Sequence, residues 1–123
     1  MYRVLVCDDE KDIVSALEIY LSSEGYEVVK AYNGKEALEA VKLQDIHLVL
    51  MDIMMPVMDG LDAARCIRSL DRSDAKSVPI FAITANAFSD DKERSYKAGM
   101  NEHISKPIIK KDLLRIMKKY IPK

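Results

Sequence analysis

Apolar runs that alternate with helical patterns are the feature of this chain that most restricts its fold. Five short apolar, β-branched runs are typical of strands, and each is followed by apolar residues spaced three and four positions apart, as on one helix face. The strands are predicted at residues 4–7, 28–29, 47–51, 79–83 and 102–104. The apolar helix faces include residues 13–21, 61–70 and 113–120, and the fourth of five helices is predicted over residues 88–98. Such alternation predicts a parallel sheet with helices on both faces.

The length and composition fit one domain over residues 1–123. The chain has 123 residues, of which 49% are hydrophobic, which suits a single domain with its own core. The two cysteines, Cys7 and Cys66, lie in apolar runs and are expected to be reduced thiols of a cytoplasmic protein. No apolar run approaches the about 20 residues of a membrane span, and no signal-peptide pattern opens the chain. We therefore expect a cytoplasmic domain without membrane contact.

The charges are divided unevenly between the two halves of the chain. Residues 1–62 carry 5 basic and 13 acidic side chains and residues 63–123 carry 14 basic and 7 acidic ones, although the net charge is only −1. This near-zero total argues against nucleic-acid binding by the domain as a whole and leaves a local basic face open, so no direct nucleic-acid binding is expected. A basic group falls on the last predicted helix, where either a solvated face or a basic partner surface is expected. Its members are Lys110, Lys111, Arg115, Lys118 and Lys119.

Polar residues end four of the five predicted strands. Asp8 and Asp9 follow the first strand, Asp52 the third and Thr84 the fourth, while Lys106 comes just after the fifth. In an open parallel sheet, ligands bind beyond the carboxyl ends of the strands, so these side chains converge if the first, third and fourth strands are neighbours. Each Asp or Thr alone could be a helix N-cap, and Lys106 alone would be uninformative. The complete set instead indicates one functional site.

The chemistry of that set favours a divalent cation and a phosphoryl group. Three carboxylates repel one another by about 4 kcal/mol per pair at ~4 Å and an effective dielectric constant of ~20, so one is protonated or a cation joins them. Oxygen ligands alone favour Mg²⁺, and a divalent ion beside Lys106 suits phosphoryl oxygens. Asp52, at the end of the most apolar strand, is the best candidate for a nucleophile that forms an aspartyl-phosphate. Thr84 could donate its hydroxyl to the phosphoryl oxygens.

Four ordered blocks of the sequence resemble the receiver domain of two-component response regulators. The blocks are VLVCDDE (4–10), LVLMDIMMPVMDG (48–60), ITANA (83–87) and the segment from AGMN to SKP (98–107). The resemblance covers the whole chain and is closest to receivers attached to hybrid sensor histidine kinases. It implies a flavodoxin-like α/β fold, a doubly wound five-stranded parallel sheet in the order 2-1-3-4-5 with five helices.

The resemblance also implies a role for each matched position in a phosphorelay. Asp52 would accept a phosphoryl group from a phosphohistidine on a histidine kinase or a histidine phosphotransfer domain. Asp9 and Asp52 would ligate Mg²⁺ with the backbone carbonyl of Met54, and Asp8 would act largely through water. Lys106 would pair with a phosphoryl oxygen. The domain would catalyse only its own phosphorylation and dephosphorylation, and the added charge would bias a bistable switch.

The implied switch contains one departure from the family pattern. Thr84 would move toward the phosphoryl group, and the backbone N–H of Ala85 would help to bind it. The family usually has Tyr or Phe three residues before the lysine, whereas this chain has His103. Imidazole is smaller and can become charged near neutral pH. A pH-sensitive coupling to Thr84 and an ordinary edge-strand surface residue are the two interpretations of His103.

Further family positions concern phosphoryl lifetime and partner docking. Met54 and Asn86 occupy the positions that tune the lifetime of the acyl phosphate. Because an apolar Met54 cannot hold an attacking water by a strong hydrogen bond, slow self-hydrolysis is predicted. The start of the first helix and the loop after Lys106 would dock the phosphodonor, and the fourth helix, fifth strand and fifth helix would face an output domain or partner. The docking contacts would come from Ile13, Ala16, Pro107 and Ile108, of which the first two could instead belong to the core.

Three alternative functions remain open from the sequence. A small phosphatase of the haloacid dehalogenase type also uses an Asp nucleophile with Mg²⁺, but it needs a second Asp where Met54 stands. An FMN-binding flavodoxin-like module would need a Ser/Thr/Gly-rich phosphate loop, whereas residues 7–12 are acidic. The complete acceptor set argues against a third alternative, a scaffold relative that is not phosphorylated.

Overall fold

Strands and helices alternate along the described chain, except that two helices follow the third strand. The computed structural model describes residues 2–55, 58–85 and 89–121, with the backbone alone for residues 89–91. Its elements, in chain order, are β1 (Arg3–Cys7), α1 (Lys11–Ser22), β2 (Glu27–Ala31), α2 (Gly34–Leu43), β3 (Leu48–Asp52), α3 (Gly60–Arg68), α4 (Ser73–Ser77), β4 (Ile80–Thr84), α5 (Ser89–Lys97), β5 (Glu102–Ser105) and α6 (Lys110–Met117).

The five strands form one parallel sheet in the order β2-β1-β3-β4-β5, which confirms the predicted topology. Every residue of β3 and β4 is buried, as expected for central strands covered by helices on both faces. The register pairs Cys7 with Met51 and Asp52 with Ile83. The carboxyl ends of β1, β3 and β4 therefore lie side by side.

Two apolar layers hold the helices against the sheet. One layer contains residues of α1 and α6 packed with one set of strand side chains, and the other contains residues of α2, α3 and α4 packed with the alternate set. The helical members of the first layer include Val14, Leu17, Leu21, Leu113 and Met117. Those of the second include Ala37, Val41, Ala64, Ile67 and Ala75. This division follows from the strand period of two, which sends successive side chains to opposite faces.

The prediction of five helices was wrong by one, because the structure has a sixth, the short helix α4. It contains only five residues, too few to show an apolar period in the sequence. Ala75 is the residue of α4 that packs in the second apolar layer. At the start of α4, the guanidinium of Arg72 pairs with the Asp74 carboxylate at 2.6 Å. The predicted fourth and fifth helices are therefore α5 and α6.

Several element boundaries also differ from the prediction. Strands β3 and β4 end one residue later than predicted. Asp52 and Thr84 are therefore the last residues of these strands and not the first residues after them. Leu70 and Tyr120 lie beyond the ends of α3 and α6, although both still pack against the apolar layers. A turn residue needs no helical backbone to bury its side chain, so apolar spacing alone overestimates helix length. Phe88, the predicted start of the fourth helix, lies outside the described residues.

Local signals explain two of the turns near the carboxyl edge of the sheet. Asn33 caps α2 by accepting the Glu36 N–H at 2.8 Å, and the Glu36 carboxylate accepts the Tyr32 N–H at 3.0 Å, in a reciprocal capping arrangement. Gly34 donates its N–H to the Met58 carbonyl at 3.0 Å, an approach that leaves no room for a Cβ. Among the described helices, none is long and apolar enough to cross a membrane.

Candidate functional site

Three carboxylates meet at the carboxyl edge of the sheet. Asp8 and Asp9 follow β1, and Asp52 ends the neighbouring strand β3. One carboxylate oxygen from each lies within 4.8 Å of the other two. Asp8 and Asp52 are buried, whereas Asp9 is exposed to solvent. The cluster thus offers oxygen ligands of the kind that Mg²⁺ prefers, with one open side.

Lys106 joins this cluster from the loop after β5. Its ammonium nitrogen lies 3.2 Å from Asp8 Oδ2, 3.4 Å from Asp52 Oδ2 and 3.5 Å from Glu10 Oε1. Its backbone N–H donates to the Thr84 carbonyl at 2.8 Å, which continues the β4–β5 pairing up to the site. Sequence analysis predicted the meeting of Lys106 with the aspartates but missed Glu10, whose only signal was its place in the acidic run 8–10.

Burial and neighbouring charges both shift the pKa values of the site. Burial raises the pKa of Asp8 to about 6, and the nearby charge of Asp52 adds to the effect. The Glu10 N–H, which donates to Asp8 Oδ1 at 2.9 Å, and the Lys106 ammonium act in the opposite direction. Burial disfavours the charge of Lys106, but the carboxylates of Asp52 and Asp8 outweigh it, so the pKa of Lys106 is raised. The site therefore has an excess of negative charge that favours a bound cation.

Backbone contacts hold the Asp52 carboxylate in place. The N–H of Met54 donates to Asp52 Oδ1 at 3.0 Å, and the N–H of Ile53 donates to the Ile83 carbonyl at 3.0 Å. Gly60, the first residue of α3, packs so closely that a Cβ there would collide with the Asp52 carbonyl oxygen. The Met54 side chain points outward and is 68% exposed. The acceptor candidate is thus rigidly held, while Met54 lies at the open surface.

The proposed switch residues lie on the neighbouring strands. Thr84 is buried at the end of β4, next to Ser105 in the register, and Ala85 follows it at the surface. His103 is half-buried on β5 opposite Ala82. It lines a surface cavity of about 280 Å³ together with residues of α6 that include Asp112 and Arg115. Asn86, the second lifetime position, lies outside the described residues.

Cys7 lies directly beneath the acidic cluster. Its thiol is 3.2 Å from the Asn33 carbonyl oxygen and 3.6 Å from the sulfur of Met55, which is also buried. Burial, followed by the charges of Asp8 and Asp52, raises the pKa of the Cys7 thiol. A thiol that resists ionisation is a poor nucleophile. Cys7 therefore contributes packing to the floor of the site.

The four predicted docking residues line one apolar groove beside the cluster. The groove has a volume of about 400 Å³ and lies between α1 and the loop after β5. Ile13 and Ala16 are half-buried there, whereas Val14, Leu17 and Leu21 of the same helix are fully buried against the sheet. Sequence analysis missed Val14 as a core residue. The lining consists of Ile13, Ala16, Leu17, Tyr20, Lys106, Pro107 and Ile108.

Comparison with known proteins identifies the family. The sequence model of the response regulator receiver domain family matches residues 4–118, so the chain belongs to this family. It is 38% identical over 112 residues to an uncharacterized transcriptional regulatory protein, YrkP, of Bacillus subtilis, with 91% of this chain and 46% of that protein covered. It is 35% identical over 119 residues to the sensor protein GacS of Pseudomonas syringae, covering 96% of this chain and 13% of GacS. The chain thus spans less than half the length of these curated relatives.

A solved structure gives the same result. The receiver domain of the sensor histidine kinase PA1611 from Pseudomonas aeruginosa, crystallised with a magnesium ion in its active site cleft, has a TM-score of 0.90 and 34% sequence identity. The match covers 99% of this chain and 98% of the PA1611 chain. The chain is therefore a receiver domain of two-component systems, homologous to receivers of hybrid kinases. The phosphatase and FMN-binding alternatives are not favoured.

Receiver domains bind Mg²⁺ at an acidic site and interact with histidine kinases or phosphotransfer proteins. The cluster of Asp8, Asp9 and Asp52 in this chain is consistent with the first property. These three carboxylates supply oxygen ligands that fit a divalent cation.

Proposed function

We propose that Asp52 is the phosphoryl acceptor of this domain and that the donor is a phosphohistidine of a histidine kinase or a histidine phosphotransfer domain. The observation that supports this most directly is the position of the Lys106 ammonium, 3.4 Å from the Asp52 carboxylate. It lies where it can neutralise a phosphoryl oxygen on that residue. Asp8 and Asp9, which follow the neighbouring strand β1, supply further negative charges of the site.

In the proposed reaction, one Asp52 carboxylate oxygen forms a bond to phosphorus as the P–N bond of the phosphohistidine breaks. The electron pair of that bond remains on the imidazole nitrogen of the donor, and Asp52 becomes an acyl phosphate. Lys106 pairs with one phosphoryl oxygen, while the Thr84 hydroxyl and the Ala85 N–H bind others. The Met54 N–H, already donated to Asp52 Oδ1, keeps the carboxylate oriented.

Asp9, Asp52 and the backbone carbonyl of Met54 would hold Mg²⁺, with Asp8 acting largely through water. When bound, the ion neutralises the negative charge of the transferring phosphoryl oxygens. The exposed and apolar Met54 side chain offers no strong hydrogen bond to an attacking water. We therefore propose that the acyl phosphate hydrolyses slowly, over many minutes rather than seconds. Asn86 is the second proposed tuning residue.

Phosphorylation is proposed to act as a switch in which Thr84 moves toward the phosphoryl group and His103 responds. The half-buried position of His103 on β5 supports a coupling between the two strands. The surface formed by α5, β5 and α6 would then face an output domain or partner, with no direct contact to nucleic acid or membrane. The domain would comprise residues 1–123, act in the cytoplasm and catalyse only its own phosphorylation and dephosphorylation.

The apolar groove is the proposed docking site for the phosphodonor. Ile13, Ala16, Pro107 and Ile108 line it, and Lys106 forms both its wall and part of the acidic site. An apolar surface that ends at the acceptor would bring a donor histidine close to Asp52.

Labelling with a small phosphodonor tests the acceptor. The wild type and the variant Asp52→Asn are incubated with acetyl phosphate and Mg²⁺, and the mass of the intact protein is measured. Asp12→Asn is the matched control, because Asp12 is an exposed acid in the first turn of α1. We expect one added phosphoryl group on the wild type and on Asp12→Asn, and none on Asp52→Asn. Labelling that survives in Asp52→Asn would refute the proposal.

A further inference from the structure

Glu10 has no part in the proposed reaction, yet it contacts the site at two points and α1 at a third. Its backbone N–H donates to Asp8 Oδ1 at 2.9 Å, and its carbonyl accepts the N–H groups of Ile13 and Val14 at 3.1 and 3.2 Å at the start of α1. Its side chain, which is 63% exposed, reaches Lys106 with Oε1 at 3.5 Å from Nζ. The backbone of Glu10 is thus fixed, while its carboxylate can leave Lys106 by rotating into water.

Carboxylates surround the Lys106 ammonium, which donates a hydrogen bond to Asp52 Oδ2 and forms close ion pairs with Asp8 and Glu10. An ammonium group has three N–H donors, and three carboxylates, those of Asp8, Asp52 and Glu10, surround it at 3.2, 3.4 and 3.5 Å. A phosphoryl oxygen on Asp52 needs one of these donors. Asp8 and Asp52 are buried, so Glu10 is the partner that can be displaced at the lowest cost.

We infer that Glu10 is a positioning residue that holds Lys106 in the unphosphorylated site and must release it when a phosphoryl group arrives. The Glu10 carboxylate repels an anionic phosphodonor and competes with it for the same ammonium. Glu10 therefore slows phosphorylation and weakens donor binding. This inference rests on the proposed function, because it assumes that Asp52 is the acceptor.

Three variants separate the ion pair from a general effect of charge. Glu10→Gln removes the charge and keeps the size of the side chain. Glu10→Asp keeps the charge but is one methylene shorter, so the carboxylate withdraws from Lys106. Asp12→Asn makes the same change of net charge two residues further along the chain. Both positions are exposed, so none of the three variants disturbs the core.

The first measurement is the initial rate of phosphorylation against acetyl phosphate concentration at saturating Mg²⁺. We expect Glu10→Gln to raise the rate at low donor concentration about two- to fivefold, the factor that corresponds to one exposed ion pair, mainly through a lower half-saturating concentration. Glu10→Asp should also be faster than the wild type, and Asp12→Asn should match the wild type. Glu10→Gln no faster than Asp12→Asn would overturn the inference, as would Glu10→Asp that is as slow as the wild type.

The second measurement does not depend on phosphorylation. In the metal-free protein, the ¹⁵N NMR signal of the Lys106 ammonium should shift in Glu10→Gln and Glu10→Asp and stay in place in Asp12→Asn. An unchanged signal in both Glu10 variants would show that the ion pair is absent and would overturn the inference. If the wild type and Asp52→Asn are labelled alike, the proposed function fails. If only the wild type is labelled and the Glu10 variants behave like it, the inference alone fails.

Discussion

Lys106 and Asp52 are separated by 54 positions in the sequence, yet the Lys106 ammonium lies 3.4 Å from the Asp52 carboxylate. The parallel order β1-β3-β4-β5 creates this contact, because Asp52 ends β3 and Lys106 follows β5 at the same edge of the sheet. The pair also connects the two halves of the chain, one acidic and one basic. At the site, Lys106 of the basic half meets Asp8, Glu10 and Asp52 of the acidic half. The basic residues of α6 lie elsewhere.

The first prediction concerns the stability of the metal-free domain against pH. Because the pKa of Asp8 rises from the usual 3.8 to about 6 on folding, its protonated form is favoured in the folded state. The stability that this provides is complete below about pH 4 and is lost as the pH rises through about 6, with an upper bound of about 3 kcal/mol. Asp8→Asn should therefore be more stable than the wild type at neutral pH.

Urea unfolding without Mg²⁺ checks this prediction. The advantage of Asp8→Asn over the wild type should shrink as the pH falls toward about 4, below which both residues are neutral in either state. Asp62→Asn serves as the control, since Asp62 is an exposed acid of α3. An advantage of Asp8→Asn that does not change with pH would contradict a raised pKa of Asp8 in the folded state.

The second prediction concerns the close contact between α3 and Asp52. In Gly60→Ala the new Cβ would collide with the Asp52 carbonyl and lie 2.9 Å from the Ile53 Cα, so the backbone around the acceptor must shift. We expect a loss of about 1–3 kcal/mol in the free energy of unfolding and slower phosphorylation by a small donor. Arg65→Ala, on the exposed face of α3, should retain the phosphorylation rate. A Gly60→Ala variant with wild-type stability and phosphorylation rate would show that the backbone around Asp52 can accommodate a Cβ at position 60.

The third prediction concerns His103, with His47 as its internal control. The chain has two histidines. His47 directly precedes β3, at the amino ends of the strands and away from the acidic site, where its Nδ1 accepts the Arg3 N–H at 2.9 Å. We expect phosphorylation to shift the ring proton NMR signals of His103 and to leave those of His47 unchanged. If neither signal moves in the phosphorylated protein, His103 takes no part in the switch.

The fourth prediction concerns the groove beside α1. A charged side chain in Ala16→Glu would fill the apolar wall and disfavour an apolar donor surface. Transfer from a phosphorylated histidine phosphotransfer domain should fall about tenfold or more, as for the loss of a central interface contact. Labelling by acetyl phosphate should stay near the wild-type rate. Leu43→Glu, at an exposed position of α2, is the control; a similar loss there would mean that the groove is not the docking site.

Much of the fold and of the site could be predicted from the sequence, because strong local signals specified both. The continuous apolar runs before Asp52 and Thr84 identified the central strands, and the polar residues after them identified the edge that carries the site. The short helix α4 escaped prediction because five residues hold no full apolar period. Val14 was not predicted as a core residue because the apolar residues of α1 form two adjacent faces, one lining the groove and one packing in the core, and both have helical spacing.

The contact of Glu10 with Lys106 could not be predicted for a different reason. Its contact with Lys106 depends on side-chain reach across the site, which neither spacing nor composition specifies. Likewise, the sequence showed three neighbouring carboxylates but not that Asp8 would be fully buried while Asp9 stays exposed. Because of that difference, burial raises the pKa of Asp8. The difference itself follows only from the packing around β1.

The central claim is that Asp52 receives the phosphoryl group, and phosphotransfer from a ³²P-labelled histidine phosphotransfer domain tests it most directly. The wild-type domain should acquire a label that is lost in alkali, as expected for an acyl phosphate, and peptide mapping should place it on Asp52. Asp52→Asn should acquire none, while Asp12→Asn should be labelled like the wild type. Stable label on another residue, or equal transfer to Asp52→Asn, would contradict the account.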